Sequence, residues 1–117
     1  MCLNTLKNHR EFVMVSSSSV KRYSEFFIIL CARIDHFDRF TVGFTASKKL
    51  GNSVKRNFAK RRMRVLMQDF LKYHSVLDTT NIGTVVIAKK SLLTCDWKRL
   101  KKDFNNNMKI ALDNLEH

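Results

Sequence analysis

The sequence predicts an α+β fold, a single open sheet of four strands with three helices packed on it, in the order α-β-β-β-α-β-α. Three observations carry this expectation. Runs rich in β-branched and aromatic residues stand at 25–33, 39–47 and 83–89. Two longer stretches, 53–73 and 97–115, have helical composition or helical spacing. The 117 residues, 44% of them hydrophobic, suffice for one core but not for two domains. Residues 1–117 are therefore read as one domain, with about 1–5 and 113–117 expected to fray.

Asn8 followed three residues later by Glu11 matches a capping box, in which each side chain satisfies an orphan amide at a helix start. It places a first helix near 9–16. A short edge strand is expected around Ser19 to Arg22. The run 25–33 is almost continuously apolar, as in a strand covered on both faces. In 39–47 the alternation puts Phe40, Val42, Phe44 and Ala46 on one face and Thr41, Gly43 and Thr45 on the other. The polar stretch Asp35 to Asp38 between these strands reads as a hairpin turn, and its two acids as turn formers. Residues 53–73 lack Gly and Pro and are rich in Arg, Lys, Met and Leu, which predicts a helix about 30 Å long. After a loop at Asp78 to Asn81 comes the strand 83–89. Trp97, Leu100, Phe104, Met108, Ala111 and Leu115 then form the apolar stripe of a last helix, with Thr94 or Asp96 as its cap.

Composition excludes several function classes. The longest apolar run, Phe26 to Ala32, is far short of the roughly 20 residues a membrane helix needs. No secretory signal pattern stands at the start, so a cytoplasmic location is expected. Cys2, Cys31 and Cys95 form no C-x-x-C pair and are read as reduced thiols. Glycine occurs only at 43, 51 and 83, which leaves no phosphate-cradling glycine loop. His9, His36, His74 and His117 show no ligand spacing, and no metal site is assigned to the protein.

Charge is the strongest signal. The 22 Lys and Arg against 10 Asp and Glu leave +12, which calls for a polyanionic partner. Thirty residues, 39–68, contain no acid and nine bases. On a helical wheel Arg56, Asn57, Lys60, Arg61 and Arg64 share an arc of roughly 140°. Val54, Phe58 and Val65, with Ala59, Met63, Leu66 and Phe70, are assigned to the packing side. A solvated helix normally intersperses acids, because like charges at i, i+4 repel by a few tenths of a kcal/mol. An uncompensated stripe is best explained by phosphate, which arginines can grip in bidentate fashion.

The string S-K-K-L-G-N-S-V-K-R-N-F-A-K-R-R-M-R, from Ser47 to Arg64, resembles the signature of the bacterial ribonuclease P protein component. L-K-x-x-x-E-F at 6–12, V-G-F-T-A-S-K-K ending the second long strand, and V-V-I-A-K-K at 85–90 extend the likeness over roughly 5–112. The resemblance implies a protein subunit that assists a catalytic RNA in removing the 5′ leader from precursor tRNA. Magnesium ions would be bound mainly by RNA, and the protein would lower the magnesium requirement without holding a catalytic residue. The implied partners are ribonuclease P RNA and precursor tRNA, with no membrane and no protein partner required. The family's sheet has a left-handed crossover through the basic helix, against the usual right-handed rule.

Matched position by position, Lys48, Lys49, Asn52, Arg56, Asn57, Lys60, Arg61 and Arg64 would bind the RNA subunit. The family's Arg-Asn-Arg triplet is here Arg56, Asn57 and Phe58, so one charge is lost, while Arg62 is an extra arginine. Two roles stay open for it: snorkelling to the helix edge, or the contact of the missing arginine. In the family the leader lies in a cleft between the first helix and the sheet, which assigns Phe12, Ile29 and Thr45 to leader binding. Phe12 keeps an aromatic there, whereas Ser16 and Ile29 stand where aromatics are usual. The alternatives are a structural RNA-binding protein of ribosomal type and a free-standing nuclease. The motif string opposes the first, and the lack of acids in the basic region the second.

Overall fold

In a computed structural model, residues 3–17, 20–74 and 81–115 are described. Ten elements occur in chain order: β1 (Asn4–Thr5), α1 (His9–Ser17), β2 (Val20–Tyr23), β3 (Phe27–Arg33), β4 (Thr41–Thr45), a 3-10 turn (Lys48–Leu50), α2 (Ser53–Tyr73), β5 (Ile82–Ala88), a second 3-10 turn (Lys90–Leu93) and α3 (Trp97–Leu115). The three expected helices and four expected strands are present. Cys2, Ser19, His117 and most of the loop before β5 lie outside the described residues.

The sheet is mixed, open and five-stranded, in the order β1-β4-β5-β3-β2. A strand and a helix reach into the two segments expected to fray. Asn4 and Thr5, expected to fray, pair in parallel with Thr41 and Val42 as an additional edge strand. Leu6 N–H prolongs this pairing by donating to Val42 O at 3.0 Å. At the other end α3 runs to Leu115.

The expected hairpin is absent. β3 and β4 are consecutive in the chain but do not pair, because β5 lies between them, antiparallel to β3 and parallel to β4. Burial explains this order: six of the seven residues of β5 are buried, a pattern that demands cover on both faces and pairing on both edges. The connection 34–40 therefore steps past the end of β5. Ile34 N–H bonds Asn81 O at 2.7 Å, and buried Phe37 rests where Gly83 has no side chain. A Cβ at Gly83 would stand 2.5 Å from the Phe37 ring.

Alternation along the strands builds two cores. Phe27, Ile29, Cys31, Val42 and Val86 face α2 and α3, where Met63, Met67, Phe70, Phe104 and Met108 complete the larger one. Leu30, Ala32 and Val85 face α1 and close on Val15 and Phe37. The protein is thus α1, sheet, and a layer of α2 with α3. Asn8 caps α1 as expected, with Glu11 N–H donating to Asn8 Oδ1 at 3.0 Å, but the Glu11 carboxylate accepts from Lys7 N–H at 2.6 Å, one residue before the amide a capping box would use. Asp96 caps α3 by accepting from Arg99 N–H at 3.1 Å.

Candidate nucleic-acid interface

The turn from β4 into α2 positions the first bases. Leu50 N–H bonds Ser47 O and Gly51 N–H bonds Lys48 O, both at 3.1 Å, which closes one 3-10 turn. Buried Leu50 pins this turn to the core, so Lys48 and Lys49 project into solvent. Gly51 has φ 129°, a backbone state that side chains rarely adopt, and so the chain can swing directly into the helix.

Asn52, expected to meet RNA, is the N-cap of α2: its Oδ1 accepts from Lys55 N–H at 3.0 Å. Asn52→Ala is expected to lower stability by about 1 kcal/mol and to leave the salt dependence of RNA binding unchanged. Urea unfolding and salt titration check both. A flatter salt dependence with unchanged stability would instead make Asn52 an RNA contact.

α2 buries Ala59, Met63, Leu66, Met67 and Phe70 against the sheet and α3. Asn57, Lys60, Arg61 and Arg64 are exposed and Arg56 is half-buried, its Nε enclosed without a hydrogen-bond partner. Among the described residues, none of Lys48, Lys49, Arg56, Lys60, Arg61 and Arg64 forms an ion pair. The predicted stripe therefore exists as one continuous, uncompensated cationic face.

The packing side is narrower than expected. Val54, Phe58 and Val65 are 74%, 38% and 38% exposed, and so lie beside the basic stripe. At about 100° per residue they stand roughly 120–160° from the middle of the buried arc, too far round to reach the sheet. Arg62 takes the edge position. Its Nη1 donates to Leu92 O at 3.3 Å and Cys95 O at 3.2 Å, and its guanidinium lies 4.9 Å from the Phe58 ring and 5.6 Å from Trp97. It fastens α2 to the second 3-10 turn, the edge role left open for it by the sequence.

On the opposite face of the sheet, half-buried Phe12 lies over β4. A Cβ at Gly43 would come within 2.7 Å of its ring, so this glycine makes room for α1. Thr45 is half-buried two residues along the same side and pairs with Ile87. Ile29 does not join them: it is fully buried in the core beneath α2 and α3. The continuous apolar run of β3 gives no alternation to reveal which residues face which way, and Ile28 and Leu30 are the ones turned to α1. Pairing of Tyr23 with Ile28 adds a side chain missed from the sequence, 66% exposed on that same face. Ser16, one turn after Phe12, is exposed and donates to Phe12 O at 2.8 Å.

Among the described residues, no group of three or more His, Cys, Asp or Glu is placed to hold a metal ion. Burial pushes the Cys31 thiol up to about 11, partly opposed by its hydrogen bond with Thr84, so it stays protonated and a poor nucleophile. No helix among the described residues is long and apolar enough to cross a membrane.

The fold and the acid-free face of α2 define a small basic α+β domain whose continuous cationic face on that helix suits polyphosphate. The profile of the family described as Ribonuclease P matches residues 3–112. The ribonuclease P protein component of Nitratiruptor sp. is 37% identical over 102 residues, covering 86% of this chain and 85% of its own length. That of Streptococcus agalactiae is 32% identical over 106 residues, covering 91% and 92%. A Staphylococcus aureus RNase P protein mutant with defective mRNA degradation activity superposes with TM-score 0.76 at 24% identity, covering 92% of this chain and 86% of that one. The RNase P protein from Thermotoga maritima gives 0.71 at 20%, covering 88% and 93%. The chain belongs to the ribonuclease P protein family. Membership gives it a role in ribonuclease P, a tRNA-processing endoribonuclease, with ribonuclease P RNA as its partner.

Proposed function

We propose that this chain binds the RNA subunit of ribonuclease P through Lys48, Lys49 and the exposed face of α2, and guides the 5′ leader of precursor tRNA across the α1 side of the sheet. The carrying observation is the acid-free face itself, with Arg56, Lys60, Arg61 and Arg64 forming no ion pair among the described residues, on a helix anchored by five buried side chains. An unneutralised row of like charges is unfavourable in the free protein and favourable against phosphates, where each contact also releases counterions. Basic residues so placed screen repulsion between two RNAs, which otherwise falls to magnesium. The magnesium ions of the reaction are assigned mainly to RNA, and hydrolysis to the RNA subunit.

On the leader side, Phe12 and Tyr23 offer rings and Thr45 a hydroxyl. Ile29→Tyr, which would place an aromatic where the family usually has one, would force a hydroxyl into the core. Phe12→Ala is expected to weaken binding of the holoenzyme to precursor tRNA by about 1 to 3 kcal/mol, one base–aromatic stack. Affinity for mature tRNA should barely change. Equilibrium binding of both RNAs tests this. An equal loss for the two, or loss of the circular dichroism signal, would reduce Phe12 to a packing residue and remove the leader path.

A further inference from the structure

Beside the basic stripe lies a groove of about 620 Å³ between the first turns of α2 and the second 3-10 turn, lined by Val54, Lys55, Phe58, Lys90, Leu93 and Thr94. Apolar surface dominates it, yet two lysines stand in its wall. Phe58 is held rather than loose: Arg62 lies 4.9 Å from its ring centre, contacts Trp97 at 5.6 Å, and is itself tied to the carbonyls of Leu92 and Cys95. The ring is therefore backed by a guanidinium already engaged with two backbone carbonyls.

We infer that Phe58, with Val54 beside it and Lys55 and Lys90 in the wall of the groove, is a stacking site for one unpaired nucleobase of the RNA bound by α2. An unpaired nucleotide brings both things the groove asks for, a flat apolar face for the ring and an anionic backbone for the lysines. A purely apolar protein segment would leave both ammonium groups unpaired or desolvated. A second copy of this chain would set two stripes of Lys60, Arg61 and Arg64 close together, on molecules that each carry +12. The site rests on the proposed role of α2 and deepens it: phosphate contacts from the stripe position the RNA, and a base at Phe58 fixes its register.

Binding of the full chain to a transcribed bacterial ribonuclease P RNA across a salt series tests it. Phe58→Leu keeps the apolar bulk and removes the π face, and should weaken binding about 5- to 150-fold with an unchanged salt slope. Phe58→Tyr should restore the affinity, and Lys90→Ala should flatten the slope by about one. Wild-type affinity in Phe58→Leu, with Arg61→Ala still weakened, would overturn the stacking site and leave the α2 interface standing. Wild-type affinity in Arg61→Ala as well would remove the interface and the stacking site together. Sedimentation showing a dimer that Phe58→Leu abolishes, with RNA affinity unchanged, would assign the groove to a second copy and overturn the inference.

Discussion

Simultaneous Lys60→Ala, Arg61→Ala and Arg64→Ala is expected to weaken binding to ribonuclease P RNA by about three powers of ten. The figure takes about 1.5 kcal/mol for each lost contact, the low end for hydrogen bonds to charged groups. The slope of log K against log salt should flatten by about three, one phosphate contact per side chain. The three side chains are exposed and form no ion pair among the described residues, so folding stability should hold or rise slightly as their mutual repulsion is relieved. Lys109→Ala is the control: it is exposed on α3, which carries Asp103 and Asp113 among its lysines. Salt-dependent equilibrium binding decides. A loss per charge at Lys109 equal to that in the triple variant would mean that net charge, and not the face of α2, sets affinity.

Phe104→Ala should have the largest effect on the fold. Phe104 is fully buried where α3 meets α2 and β3, edge-on to Phe27 at 5.5 Å and to Phe70 at 6.4 Å between ring centroids. Removing a buried phenylalanine costs about 3 to 5 kcal/mol, a large share of the roughly 5 to 15 kcal/mol that holds a domain together. Urea unfolding followed by circular dichroism should show the drop in midpoint. Ribonuclease P RNA should raise that midpoint again, because a ligand that binds only the folded chain stabilises it and the variant keeps the face of α2 intact. A loss under about 1 kcal/mol would mean that α3 is not anchored through this aromatic cluster.

What the sequence revealed depended on whether the deciding physics was local. The extent of α2 was readable because neither Gly nor Pro interrupts Ser53–Tyr73, whereas Asn52, read as an RNA contact, turns out to cap the helix. Phe40, Val42, Phe44 and Ala46 were read onto one face because β4 alternates, and they do pack against the larger core. β3 does not alternate, so Ile29 was set on the wrong side. The order of strands was hidden because β3 and β4 are neighbours in sequence, whereas the demand of β5 for two partners is a long-range matter. β1 is two residues long, too short for any periodicity. In the candidate interface the charged stripe was legible from spacing alone. The width of the packing arc was not, since it depends on what α2 rests against, and for that reason Phe58 and Val54 were sent inward. Arg62 illustrates the same point: only the position of the second 3-10 turn shows that its guanidinium is occupied by Leu92 and Cys95 carbonyls.

The most direct measurement is reconstitution. The chain is added to a bacterial ribonuclease P RNA, and cleavage of precursor tRNA is monitored as magnesium is lowered, with the chain alone as control. Cleavage should persist at magnesium concentrations where the RNA by itself is inactive, should require the RNA, and should fail in the Lys60, Arg61 and Arg64 triple-alanine variant. A magnesium requirement that the chain leaves unchanged, or sustained cleavage without RNA, would contradict the assignment of α2 as the surface through which this protein assists a catalytic RNA.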